Sequence, residues 1–428
     1  MKRAWRKPAL WAGGATLVTA LLVLLYANLT AAASRVEHAI PHRYAPTDPQ
    51  FVRVMGSLLG PGMVGGNRVT SLLNGDEIFP AMLSAIRSAK RSVTFETYIY
   101  WSGEVGRQFT LALADRARAG VKTHVLIDWV GSGKMDAAML DEMEKAGVQV
   151  VRYRPLHWYT VDRINNRTHR KLLIVDGRVG FTGGVGVADH WLGHAQDPDH
   201  WRDSHFRVVG PAVAQMQAAF MDNWIESRGE VLDGDDYFPA QAPAGEHYAQ
   251  VFRSSPGEGS ASMRLMYLLA IASAARSIRI ANAYFVPDSL VVSMLVQARE
   301  RGVEVEIIAP GPVLDAQIVR RASRALWGPL LRAGVRIYEY QPTMYHTKVM
   351  VVDDIWCSVG STNFDDRSFR LNDEANLNVL DAEFAREQSR AFAEDRAQSR
   401  EVTLEQWERR PFKERVQERF ARLVKSQL

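Results

Sequence analysis

The chain of 428 residues has one cysteine, Cys357. A single thiol excludes an intramolecular disulfide and a cysteine-built metal site, and it leaves the redox compartment open. Cys357 lies inside an apolar run, where packing is its expected role. Strong charge of one sign is also lacking. Lys and Arg number 52 against 48 Asp and Glu, for a net charge of +4. So mild a basic balance suits an anionic membrane surface or a phosphate-bearing substrate, and it does not point to nucleic acid. With 47% of residues apolar, wholesale disorder is excluded, and the length allows two domains of ordinary size.

Charge is missing altogether from Ala9 to Leu29, after a start that carries Lys2, Arg3, Arg6 and Lys7. Roughly 20 mostly apolar residues suffice to span a bilayer as a helix, and the basic flank predicts a cytoplasmic N-terminus with the rest exported. The stretch is either an uncleaved signal anchor or a signal peptide cut near Ala31-Ala32-Ala33. The reading adopted is a basic tail at 1–8, a transmembrane anchor at 9–29 and a loop-like spacer at 30–68, marked by Pro41, Pro46, Pro49 and the glycines from Gly60 to Gly66.

The remainder repeats itself. Ser92–Tyr98 answers to Ser277–Tyr284, Gly120–Ile127 to Gly302–Ile308, and Gly147–Tyr153 to Gly334–Tyr340. Helical patterns precede each apolar run: Phe79–Lys90, Phe109–Ala119 and Met135–Ala146 in one half, Met263–Arg276, Ser289–Arg301 and Ala316–Ala333 in the other. Helices alternating with apolar strands predict an α/β fold with helices on the faces of a sheet. The halves are set at 69–228 and 249–400, with a Gly-, Pro- and Asp-rich linker at 229–248. The charged segment 401–428 ends in a basic amphipathic helix. Its stripe of Phe412, Val416, Phe420, Leu423 and Val424 either packs on the domain or lies in a membrane interface.

Each half contains the pattern H-x-K-x4-D at the start of an apolar run. The copies are His169-Arg170-Lys171 with Asp176, within 163–190, and His346-Thr347-Lys348 with Asp353, within 340–367. On a strand, His and Lys two apart project to one face, and Arg170 or Thr347 points away. Small residues follow at the same distance: Gly183-Gly184 in one copy, Gly360-Ser361-Thr362-Asn363 in the other. They would let backbone N–H groups approach an anion. Two imidazoles and two ammonium groups suit phosphodiester chemistry, in which one His attacks phosphorus and the other handles the proton. The lysines and Asn363 would hold non-bridging oxygens. Asp176 and Asp353 complete the motifs but are expected to brace loops or a lysine. His and Lys at this spacing are not a metal-ligand set.

The paired motifs are similar to those of the phospholipase D superfamily. Asn166–Lys171 and Gly360–Ser368 most resemble bacterial cardiolipin synthases within it. The resemblance implies two halves packed across a pseudo-two-fold axis, with both motifs in one cleft. It assigns His169 as nucleophile and His346 as general acid and base, with no cofactor. It implies that Asp203, in His200-Trp201-Arg202-Asp203, and Glu374, in Asn372-Asp373-Glu374, orient the imidazoles. Ser361 and Gly184 join Asn363 as expected substrate contacts. Tyr98 with Glu96, and Tyr284-Phe285-Val286-Pro287, would end strands near the cleft, and Leu156–Tyr159 would form a loop before the first motif. One departure stands out: Gly186 occupies the place where the family usually has Asn, so one phosphate-binding amide is missing. The implied activity joins two phosphatidylglycerol molecules into cardiolipin and glycerol at the bacterial cell membrane. A hydrolase releasing phosphatidic acid, a nuclease, and a non-catalytic binder of anionic lipid remain alternatives.

Overall fold

A computed structural model describes residues 36–155, 166–256 and 263–423, with a few scattered positions between 11 and 23. The stretch from Ala9 to Leu29 falls mostly outside them, as do Leu156–Tyr159 and the last five residues. Among the described residues no helix is long and apolar enough to cross a membrane.

Each half lays its strands in the same spatial order. In the first, Gln149–Tyr153 is followed by Lys122–Asp128, Ser92–Thr97, Leu172–Val175, Val179–Gly183, Ser204–Val209 and Val64–Leu73. In the second, the order is Arg336–Tyr340, Glu304–Pro310, Ser277–Asn282, Lys348–Val352, Trp356–Gly360, Asn372–Leu380 and His247–Ser254. The first three strands of each series run parallel and the rest pair antiparallel, and Ser399–Glu401 adds an antiparallel edge beside Arg336–Tyr340. The sheets join antiparallel through Val64–Leu73 and His247–Ser254, with Asn67 opposite His247. The result is one continuous sheet whose two halves mirror each other's connectivity.

Helices cover the faces as the sequence period requires. One apolar cluster lies under the helices of the first half, around Ile78, Phe95, Phe109 and Leu173. Another lies under those of the second, around Leu268, Ile280, Leu295 and Trp356. A third belongs to both, bringing Leu172, Ile174 and Phe206 together with Val351, Cys357 and Leu377. This shared core fixes the halves against each other.

Three sequence expectations are corrected. The spacer set at 30–68 is not merely loop where it is described, from residue 36 on. Pro49–Leu59 is a helix, capped by Asp48, whose carboxylate accepts from the Gln50 N–H at 2.7 Å. Pro49, taken as a loop signal, occupies the first helical position, where its fixed φ is favourable and its missing N–H costs nothing. Phe51, Met55 and Leu59 reach into the core of the second half. The sheet also begins earlier than Val69, at Val64. Finally, the pattern over Ala316–Ala333 is two helices, Gln317–Arg324 and Trp327–Arg332. Pro329 cannot donate within a continuous helix, so it sits in the first turn of a new one.

Candidate active site

The motif histidines lie just before the strands Leu172–Val175 and Lys348–Val352, and each is pinned by the opposite half. The His169 N–H donates to the Asp373 carbonyl at 2.9 Å, and Arg167–Thr168 pairs in parallel with Asn372–Asp373. Correspondingly, the His346 N–H donates to the Arg202 carbonyl at 2.8 Å, and the Arg202 N–H donates to Met344 O at 2.9 Å. The next residue on each partner strand is a carboxylate. His169 Nδ1 therefore lies 3.0 Å from Glu374 Oε1, and His346 Nδ1 lies 2.7 Å from Asp203 Oδ2. The orienting acids are exchanged: each half supplies the acid for the other half's imidazole. With Nδ1 held as donor, Nε2 of each ring faces the chemistry, that of His346 with Lys348 Nζ 3.2 Å away.

The two acids are themselves fixed. Asp203 accepts from Trp191 Nε1 at 2.9 Å and the Ser204 N–H at 2.8 Å. Glu374 accepts from Ser361 Oγ at 2.5 Å and Asn372 Nδ2 at 3.3 Å. Burial alone would raise both carboxyls, but the imidazole beside each, with the lysines, holds them below their ordinary values. Burial lowers His169 to about 4, outweighing the pull of Glu374, and it lowers His346 as well. Each His is thus a neutral base facing an ionised acid.

Lys171 Nζ is 2.8 Å from His169 O, and Lys348 Nζ is 2.5 Å from His346 O. Burial lowers Lys171 to about 7 and Lys348 to about 8. Two buried ammonium groups without a carboxylate in hydrogen-bonding contact are costly unless an anion joins them.

His169, Lys171, His346 and Asn363 line one cavity of about 520 Å³. Asn363 is buried, and its Oδ1 has no hydrogen-bond partner among the described residues. Tyr98 and Tyr284 line the cavity as the sequence suggested. The sequence reading missed Trp191 and Trp201, whose rings lie 5.3 and 5.4 Å from that of His346. Arg167, Arg367 and Lys134, also on the wall, were missed too. Arg167 and Arg367 lie inside the motif segments and Trp201 beside Asp203, but nothing in the spacing gives them a direction.

Asp176 and Asp353 brace the backbone, and the expected substrate contacts Ser361 and Gly184 have structural roles as well. The Asp176 carboxylate accepts from the backbone N–H groups of Lys90, Arg91 and Ser92 at 2.7–3.0 Å. Asp353 does the same for Ala275, Arg276 and Ser277 at 2.7–2.9 Å. They close the turns into Ser92–Thr97 and Ser277–Asn282 and leave the reacting set. Ser361 spends its hydroxyl on Glu374. Gly184 donates its N–H to Ser204 O at 3.1 Å, and a Cβ there would meet Asp203 Oδ1 at 2.2 Å. The pair is equivalent in position and opposite in means: a hydroxyl reaches Glu374 in one half, and absence of a side chain admits Asp203 in the other. Glu96 lies behind the site, accepting from Thr168 Oγ1 at 2.5 Å and Asn223 Nδ2 at 2.6 Å, and burial raises it to about 7. Phe285 and Val286 are core.

Gly186 has a steric explanation. A Cβ there would stand 2.8 Å from Ile99 Cβ and 3.3 Å from Trp191 Cη2. Ile99 fills the space that an amide would need, and Ile99 rather than Gly186 lines the catalytic cavity. The site is therefore two-fold in its histidines and lysines and one-sided in its amide.

A double, strand-borne His–Lys site with exchanged acids defines a phospholipase D-like protein. The family described as cardiolipin synthase, phospholipase D-like domain, matches residues 82–224 and 267–396. The cardiolipin synthase of Geobacillus kaustophilus is 36% identical over 356 residues, covering 82% of this chain and 71% of that one. Cardiolipin synthase A of Pseudomonas fluorescens is 34% identical over 376 residues, covering 87% and 78%. The chain belongs to the cardiolipin synthase family of the phospholipase D superfamily. A solved structure, the phosphatidylserine synthase of Haemophilus influenzae, shares the fold at a TM-score of 0.69 and 13% identity, over 89% of this chain and 100% of that one.

Proposed function

We propose that the protein is a phosphatidyltransferase of the cardiolipin synthase type. The observation that carries this reading is the cavity in which two neutral imidazoles, each fixed through Nδ1 by a buried carboxylate, share a wall with Lys171, while Lys348 lies buried against the His346 ring. An entering phosphodiester supplies the missing negative charge and draws the lysines to their charged form. His169 Nε2 attacks phosphorus while the bond to glycerol breaks. The entering anion also draws a proton onto His346 Nε2, and His346 gives that proton to the departing alkoxide. A second phosphatidylglycerol then enters. His346 takes the proton from its free hydroxyl, the oxygen attacks phosphorus, and the bond to His169 breaks, releasing cardiolipin. Atoms and protons balance over the cycle, and glycerol is the by-product. Lys171, Lys348 and Asn363 hold the non-bridging oxygens throughout.

The N-terminal apolar stretch supports a single-pass anchor in the bacterial cell membrane, with the catalytic body on the exported side. The acceptor decides between transfer and hydrolysis, because water in the second step gives phosphatidic acid. The test is lipid analysis of cells that lack their own cardiolipin synthases and express this chain or its His346→Ala form. Cardiolipin should appear with the intact chain and not with the variant. Phosphatidic acid without cardiolipin would instead make the protein a hydrolase, and no change in either lipid would refute both.

A further inference from the structure

The last described helix, Phe412–Leu423, is turned the unusual way round. Phe412, Val416 and Phe420, one stripe at four-residue spacing, are 74%, 50% and 67% exposed. A helix on a globular protein ordinarily buries such a stripe. Here the inward residues are Glu418 and Ala421, 2% and 1% exposed. Glu418 accepts from Arg410 Nε at 2.7 Å and from Arg324 Nε at 3.4 Å. Ala421 packs with Val286, Val319 and Ala322. A charged latch and one small residue hold the helix, so its large apolar side chains are left to something else.

The helix lies on Gln317–Arg324, which supplies Val319 to the wall of the catalytic cavity and exposes Ile318. Lys413, Arg415 and Arg419 are exposed beside the stripe, with Glu414 as the opposing charge on the helix, while Arg409 just before it pairs with Glu405 at 2.8 Å. We propose that this face docks on an anionic lipid surface, with Phe412, Val416 and Phe420 seated at the boundary of headgroups and acyl chains. Exposed cations flanking an apolar stripe match that surface in both respects. A second copy of the chain fits poorly. Three side chains offer at most roughly 700 Å², less than the ~800 Å² per partner of a stable interface, and the same cations would repel each other. The consequence for the reaction, which rests on the function proposed above, is that the cavity wall is held against the layer that contains its substrate.

The test uses the full chain in vesicles of phosphatidylglycerol and phosphatidylcholine. Cysteine replaces Phe412, Val416, Phe420 or, as a control, Glu414, and each is spin-labelled; Cys357 is buried and stays unlabelled. The three stripe labels should relax several-fold more with oxygen than with a water-soluble nickel complex, and the label at 414 should show the reverse. Equal access of nickel to all four labels would overturn the proposal, as would spin–spin broadening in detergent, which would mean a second copy. The Phe412→Ser/Phe420→Ser double variant should turn over long-chain phosphatidylglycerol in vesicles about tenfold more slowly, with short-chain monomeric substrate unaffected. Equal loss on both substrates would count against docking. If the unaltered chain turns over neither, the proposed reaction fails while the label depths still decide the docking.

Discussion

Glu374 and Asp203 each complete a histidine that lies in the other half of the chain, and this exchange sets what single substitutions should do. Glu374→Gln and Asp203→Asn keep shape and hydrogen bonding but lose the charge that fixes the Nδ1–H tautomer. Each should lower kcat by about 10³-fold with little change in KM, measured on phosphatidylglycerol. Lys171→Met should do two opposite things. It removes a phosphate ligand, lowering activity by roughly 10²-fold or more, and it removes a buried cation, raising unfolding stability by about 1 kcal/mol. Urea denaturation and turnover on the same sample would separate the effects. The lysines also give a pH signature. Their folded values, about 7 for Lys171 and about 8 for Lys348, lie below the ordinary 10.5. Both are charged below pH 7 in the empty cavity and lose charge as pH rises. The kcat/KM should therefore fall above about pH 8, and binding of a phosphodiester between pH 7 and 8 should take up protons, detectable as a buffer-dependent heat. Between about pH 7 and 10 the unfolded chain binds the more protons, so these lysines make folding stability rise with pH there.

At the scale of elements, the repeat made most of the fold legible. Val, Ile and Leu runs opened by serine or glycine locate the parallel strands of both halves to within one or two residues, because a buried strand admits little else. The H-x-K spacing also gave the right geometry: Arg170, pointing away from the cavity, is fully buried and donates to the carbonyls of Ala219, Ser254 and Glu374, tying the halves together. Legibility ended where one signal serves two structures. Asp48-Pro49 reads equally as a turn and as a helix start, and only the burial of Phe51 and Met55 decides. Asp176 and Asp353 share a motif with the catalytic histidines, yet they act one layer away. Asp176→Ala strips an acceptor from three backbone N–H groups and should cost about 2–4 kcal/mol in stability. Activity per folded molecule should be retained, checked by urea titration alongside turnover.

For the whole molecule, pseudo-symmetry explains the site better than either half does. Two equivalent sheets meet at Val64–Leu73 and His247–Ser254, and a shared core fixes their angle, so each half can present an acid to the other. Local sequence could not reveal that crossing, since residues 169 and 374 meet only through the packing of the halves. The departure from symmetry at Gly186 is equally a property of the packed molecule. Ile99 holds the place of the missing amide. Gly186→Asn alone should therefore lower stability and activity, and adding Ile99→Ala should restore stability, as a thermal melt would show.

The exchanged arrangement of acids and histidines is tested most directly by trapping the covalent intermediate. A phosphatidyl ester of p-nitrophenol has a leaving group that needs no general acid, so adduct formation depends on the nucleophile alone. Rapid acid-free quench and peptide mass spectrometry should find the phosphatidyl group on His169 in Asp203→Asn, accumulating behind a burst of nitrophenolate. In Glu374→Gln neither adduct nor burst should appear. An adduct on His346, or the same outcome in both variants, would contradict the account.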